Sequence, residues 1–331
     1  MSDFVSTQEM IVAARKNLEQ GPWDYLVGAS ESETTMRRNR LGFDKIAFRP
    51  RVLVDVSSID GSTTFLGHKL RIPVLPAPIG SLQVFHPGGG AEVTRGASEF
   101  GTMQVLSSVT EPTLEETARA GDFPKTFQLY VRGDWDWCKD ILTRVKESGY
   151  AALCVTVDTA HLSHRERPML GRYAPPTQRG PAGREFQARV TWDTVERIRD
   201  FAGLPFMLKG IATAEDAAIC VHKGIDVVWV SNHGGRQLDH GRGAIETLPE
   251  IYAVTKGKAS IILDGGIQRG TDVLKALALG ADAVAIGKLQ GWALAADGAA
   301  GVVRLLEILE SEIEIAMGLL GITALDQLNS S

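Results

Sequence analysis

In the stretch SNHGGRQLD (231–239), a histidine and an arginine stand three residues apart directly after an apolar run. His233 is of the type that takes up a proton near neutral pH, and Arg236 carries the planar fork that pairs with a carboxylate. Gly234 and Gly235 let backbone approach a ligand closely. Alone, these four residues also suit a turn whose His and Arg bond loop carbonyls. LDGGIQRGTD (263–272) and IGK (286–288) each follow another apolar run, bringing glycine backbone and a helix start to one place. Such N–H groups hold phosphate, which makes Gly265, Gly266, Gly287 and Lys288 candidate ligands of a phosphorylated group.

Lys209 ends the apolar run PFMLKG, which carries its ammonium inward. Either it pairs with a carboxylate such as Asp264, or it stabilises negative charge on a bound ring. Asp158 follows the run ending in TVD, and Arg165 comes soon after in HLSHRER. Arg165 on position alone reads as a solvated loop residue. Tyr25 in WDYLVGAS and Tyr130 in FQLYV read as core aromatics with a polar tip.

The elements that must position these residues alternate as short β-branched runs and longer amphipathic stretches from residue 72 onward. Eight runs are found: Ile72–Ala77, Thr102–Ser107, Thr126–Tyr130, Ala151–Val157, Pro205–Gly210, Asp226–Ser231, Ser260–Gly265 and Ala283–Gly287. Segments such as Gly89–Phe100 and Gly270–Leu279 have helical periodicity between them. The pattern predicts an α/β fold, a (β/α)8 TIM barrel, with residues 1–65 as an N-terminal helical cap and 66–331 as the barrel. Residues 158–204 predict a mobile segment over the mouth, since 166–190 is rich in Arg, Pro and Gly. Ser107, Gln128, Tyr130, Thr156, Asp158, Lys209, His233, Arg236, Asp264 and Lys288 all fall at or just after strand C-termini, where barrel active sites are built.

With 331 residues, 44 % of them hydrophobic, and a net charge of −5 from mixed acidic and basic residues, the chain offers no basic footprint for nucleic acid or an acidic membrane. Cys138, Cys154 and Cys220 are far apart and fit no metal spacing, so no metal site is expected, and their odd number points to a reducing compartment. No apolar run is long enough to span a bilayer, and the terminal sequences match no common leader or sorting signal. The expectation is a cytoplasmic protein of a single domain.

Taken together, RPRVLVDVS (49–57), LSS (106–108), FQLYV, TVD, KG, SNHGGRQLD and DGG…RGTDVLKALALGA (264–281) closely resemble the FMN-dependent 2-hydroxy-acid oxidases and dehydrogenases. The resemblance runs from about Tyr25 to Leu325. It implies FMN as cofactor, with His233 as the base and Asp158 orienting it. Arg236 and Arg165 would hold the substrate carboxylate, and Tyr25 and Tyr130 would bond the carboxylate or hydroxyl. Lys209 would face the N1–C2=O edge of the isoalloxazine, with Ala77, Pro78, Ser107, Gln128, Thr156 and Ser231 around the ring. Asp264, Gly265, Gly266, Gly287 and Lys288 would hold ribityl and phosphate. Homotetramers are implied too, whereas oxygen, a quinone or another protein remains open as electron acceptor. Three departures stand out: Gln268 and Lys288 replace family arginines, Val109 replaces an aromatic residue, and the segment after Arg165 is shorter. With apolar surface expected from Leu82, Val84 and Phe85, these predict an L-2-hydroxy acid with a bulky, largely apolar side chain. An isopentenyl diphosphate isomerase of the FMN type would not need two arginines and a histidine, and a silent flavin scaffold would have lost some of them.

Overall fold

The computed structural model describes residues 2–176 and 183–329. Three helices come first: α1 (Thr7–Asn17), α2 (Gln20–Val27) and α3 (Thr34–Asp44). Ser6 starts α1 by accepting the Glu9 N–H, and basic Arg15 and Lys16 sit in its last turn, complementing the helix dipole. An extended stretch then leads into the antiparallel hairpin β1 (Thr63–Phe65) and β2 (His68–Leu70). The hairpin straddles the expected boundary at residue 65, and it packs Phe65 and Leu70 against the barrel interior.

All eight predicted runs are strands: β3 (Val74–Pro76), β4 (Val105–Ser107), β5 (Thr126–Leu129), β6 (Ala152–Thr156), β7 (Phe206–Ile211), β8 (Val227–Val230), β9 (Ser260–Asp264) and β10 (Ala283–Ile286). Parallel ladders join them in the order β3-β10-β9-β8-β7-β6-β5-β4. At the remaining seam, the Thr102 hydroxyl donates to the Val74 carbonyl at 2.6 Å. Helices follow the strands and cover the outside, ending in the long helix Lys288–Leu320. Asn17 of α1 donates to the Ala295 carbonyl of that helix at 3.0 Å, which fastens the cap to the barrel.

Side chains alternate along each strand, so two separate cores result. Val74, Leu129, Val155, Leu208, Val230 and Leu263 face the helices, whereas Leu75, Val105, Thr126, Cys154, Met207, Trp229, Ile262 and Ala285 fill the interior. Extending the interior set by two residues on every strand gives Ala77, Ser107, Gln128, Thr156, Lys209, Ser231, Asp264 and Gly287. The polar members therefore form a ring on top of an apolar plug, because strand geometry leaves them no other direction. None of the helices among the described residues is long and apolar enough to cross a membrane.

Candidate active site

A cavity of about 910 Å3 opens above this ring at the strand C-termini. Tyr25, Ala77, Pro78, Tyr130, Arg165, Lys209, His233, Arg236, Asp264, Gly265, Gly266, Gln268, Gly287 and Lys288 all line it. Ser107, Gln128 and Thr156 lie buried at their strand ends beneath it. Asp158 and Ser231 stand behind the lining and act on it through neighbours.

His233 Nδ1 lies 3.0 Å from Asp158 Oδ1 and 3.2 Å from Oδ2. A carboxylate there fixes the proton on Nδ1 and leaves Nε2 as the basic nitrogen. The histidine keeps 16 % of its side-chain surface exposed. Burial lowers its pKa below the ordinary 6.5, with Lys209 and Arg165 adding to that and Asp158 opposing it. It is therefore neutral and able to accept a proton at pH 7. Burial alone would raise Asp158, but His233 and Lys209 outweigh it and hold the carboxyl low. His233 adopts a left-handed φ of 59°, and its N–H donates to Ser231 Oγ at 3.0 Å, which holds the turn.

That hydroxyl joins two halves of the site. Ser231 Oγ also accepts from Lys209 Nζ at 3.1 Å and donates to Asp264 Oδ1 at 2.7 Å. Asp264 Oδ2 takes the Trp229 indole N–H at 3.0 Å and sits 3.3 Å from Lys209 Nζ. The expected ion pair is thus present, and it does not exclude the ring-facing role. Burial disfavours the Lys209 charge, yet Asp264 and Asp158 more than reverse this, so the ammonium holds its proton more tightly than an ordinary lysine.

Arg236 is fixed against the cap: Nη1 donates to the carbonyls of Tyr25 and Gly28, both at 2.7 Å, and the guanidinium lies over the Tyr25 ring. Burial, then Arg165, pushes its pKa down to about 9. Arg165 reaches the Arg236 carbonyl at 3.1 Å, so both arginines share one wall. Tyr130 is raised to about 12, mainly by burial, and so keeps its phenolic proton. Tyr25 donates its own proton to the Gly80 carbonyl at 3.0 Å, so it meets a ligand as an acceptor unless that bond is exchanged.

The FMN-dependent dehydrogenase family model matches residues 14–182 and 176–331. The chain belongs to this FMN-dependent 2-hydroxy-acid oxidase and dehydrogenase family. It is 37 % identical to glycolate oxidase 1 of Oryza sativa subsp. indica over 98 % of this chain and 94 % of that protein. Against an L-lactate oxidase of Nostoc sp., identity is 38 % over 96 % and 94 %. A solved mandelate oxidase structure superposes with a TM-score of 0.92 at 37 % identity, covering 98 % of this chain and 96 % of that one.

The family's cofactor is FMN, and the residues present fit it. Among the described residues, the buried side-chain polar atoms without a partner belong to Ser30, Gln128, Thr156, Thr159, Gln290 and Trp292. Both amide atoms of Gln128 and the hydroxyl of Thr156 are among them, a donor and acceptor set that would suit the edges of a heteroaromatic ring. A Cβ at Gly287 would meet nothing within 4 Å, so this turn leaves room for a ligand.

Two expectations need correction. The helix start at Gly270 is not available to phosphate: Asp272 Oδ2 takes the N–H groups of Gln268 and Arg269, and Glu312 takes that of Gly270. The Gly265–Gly266 turn and the Gly287–Lys288 start remain. Of the three apolar residues after β3, only Phe85 lines the cavity; Leu82 is sealed in the core and Val84 packs against it. Their 3-10 turn points just one of the three toward the mouth, where Phe85 lies 5.9 Å from the Tyr25 ring.

The cap contributes more than sequence reasoning assigned to it. Tyr25, Met36, Arg37, Asn39 and Arg40 all line the cavity. Arg40 grips Asp272 with two N–H donors at 2.6 and 2.8 Å and reaches the Gly266 carbonyl at 3.0 Å. Gly266 has φ 94°, and a Cβ there would sit 2.8 Å from the Asn39 carbonyl, so only glycine lets α3 close on the turn. Asp239, the last residue of the histidine motif, accepts the Thr35 N–H at 2.7 Å and fastens α3 to the His233 loop. Asp239 follows the His233–Arg236 pair in one conspicuous word, whereas Asn39 and Arg40 carry no local signal.

Proposed function

We propose that the chain oxidises an L-2-hydroxy acid with a side chain larger than methyl to the 2-oxo acid, using His233 as base and Arg165 and Arg236 as carboxylate clamp. The observation that carries this reading is the His233–Asp158 pair at 3.0 Å, on the same cavity wall as the two arginines and above the inward ring. When bound, FMN supplies the two-electron acceptor. Arg236 Nη2 and the Arg165 guanidinium orient the substrate carboxylate, and Tyr130 donates to the hydroxyl or carboxylate. His233 Nε2 takes the proton that leaves the substrate, and Asp158 stabilises the imidazolium that results. Lys209 places fixed positive charge at the ring, held there by Asp264 and Ser231. Gln128 and Thr156 would bond the ring edges, with Gly265, Gly266, Gly287 and Lys288 about the phosphate. Oxygen is the proposed acceptor, in keeping with the oxidases this chain resembles.

The larger side chain is supported by Val109, Phe85, Ile79 and Leu162, which give the cavity an apolar section beside the clamp. Each methylene buried there contributes about 0.8 kcal/mol. Comparing kcat/KM for glycolate, lactate, 2-hydroxyisocaproate, phenyllactate and mandelate tests it. A rise beyond lactate is expected; a maximum at glycolate with a steady fall thereafter overturns the size preference.

A further inference from the structure

The phosphate end of the cavity is short of charge on its barrel side. Gln268, in place of a family arginine, carries none, and Asp272 and Glu312 take the N–H groups of Gln268, Arg269 and Gly270. That leaves Lys288, whose burial works against its proton, to face a phosphate monoester of roughly two negative charges at pH 7. One ammonium does not balance such an anion.

Helix α3 of the cap closes on the same turns. Met36 Sδ lies 2.7 Å from Lys288 Nζ, and Arg40 reaches the Gly266 carbonyl at 3.0 Å. Arg37 follows Met36 and stands three residues before Arg40, so the two arginines are neighbours on the helix surface. It lines the cavity together with Gln268 and Lys288. Arg40 is already neutralised, by Asp272 at 2.6 Å and Asp44 at 2.9 Å. Arg37 is not. Its Nη1 donates to the Ser32 carbonyl at 2.7 Å and its Nη2 to the Thr34 hydroxyl at 3.0 Å, and both acceptors are uncharged. Glu33, one turn earlier, is held by Arg167 in two bonds of 2.6 Å. These contacts steady the Arg37 fork and use one proton on each Nη, leaving Nε–H and the other Nη protons for an anion.

We propose that Arg37 binds the FMN phosphate, so that the cap supplies the guanidinium that the barrel rim lacks at Gln268. The proposal rests on the reading that the phosphate sits at the Gly265–Gly266 and Gly287–Lys288 turns. A guanidinium suits the task because its planar fork meets phosphate oxygens in paired bonds and keeps its charge where Lys288 loses its own. Arg37 is an exposed residue at the rim, so its hold on phosphate is weakened by salt.

The test measures dissociation constants of FMN and of riboflavin, which lacks the phosphate, for the apoprotein by quenching of flavin fluorescence. Arg37→Met should weaken FMN binding on the order of tenfold, leave riboflavin binding unchanged, and make FMN affinity less sensitive to salt. Lys288→Met serves as the reference for the phosphate position. If Lys288→Met lowers the FMN-to-riboflavin affinity ratio and Arg37→Met does not, the role of Arg37 is overturned while the phosphate position stands. Equal weakening of both flavins by Arg37→Met also overturns it, because the arginine would then support the fold of the cap alone. A ratio unmoved in both variants removes the phosphate position itself, and the proposal with it.

Discussion

The two ends of the cavity are built on opposite principles. At the β6–β9 end, the charged side chains are partnered within the barrel: the Asp158 carboxylate by neutral His233, and Lys209 by Asp264 directly and through Ser231. At the β10 end, Lys288 Nζ rests on the Val27 carbonyl at 2.6 Å and the Met36 sulfur at 2.7 Å, both from the cap. Burial, then Arg236, pushes its pKa down to about 7, with Glu33 opposing. The first end is wired to keep its charges whether or not a ligand is present. The second keeps its charge best when an anion arrives.

The sharpest way to break the first end is His233→Ala. The account expects flavin bound as in the parent, with reduction by substrate slower by a factor on the order of 10²–10⁴ measured by anaerobic stopped flow. Near-parental reduction would remove His233 from the base role. Lys209→Met should instead strike stability. It leaves the nearly buried Asp264 without its cation, and a loss of about 3–5 kcal/mol in denaturant unfolding is expected. An unchanged midpoint would mean that Ser231 and Trp229 suffice to hold that carboxylate.

These two sites differ in how they could be read from the sequence. His233, Arg236 and Asp239 sit within one nine-residue word, and Lys209, Asp264 and Gly287 each end an apolar run, so strand periodicity alone delivers them to the mouth. All eight strands were legible for the same reason, since buried parallel strands are continuous and apolar. The cap side was not. Arg40 meets Asp272, and Lys288 meets Val27, across most of the chain, and no local pattern announces such partners. Gln187 likewise looks like any loop glutamine until it is seen bridging two strands.

Arg236→Lys probes the wall that joins the two ends. Losing the fork should cost about tenfold to a hundredfold in kcat/KM with flavin still bound. The pH profile of kcat/KM tests the base. It should rise through a pKa below 6.5 as His233 loses its proton. A profile flat from pH 5 upward would contradict that assignment.

The smallest expected effect sharpens the second end. Above pH 7, free Lys288 is losing its proton while a bound phosphate favours the charged form, so FMN binding takes up a proton there. Affinity for apoprotein should fall about tenfold per pH unit above 7 and be steadier below it. Lys288→Arg should flatten that slope, because a guanidinium stays protonated. An identical slope in the variant would place the titrating group elsewhere.

The central claim is that this cavity moves two electrons from a 2-hydroxy acid to FMN. Anaerobic mixing of the purified, FMN-loaded protein with L-2-hydroxy acids tests it directly. The account predicts loss of the flavin's visible absorbance with formation of an equivalent amount of 2-oxo acid, and return of the colour when air is admitted. Flavin that stays oxidised with every L-2-hydroxy acid offered would contradict it.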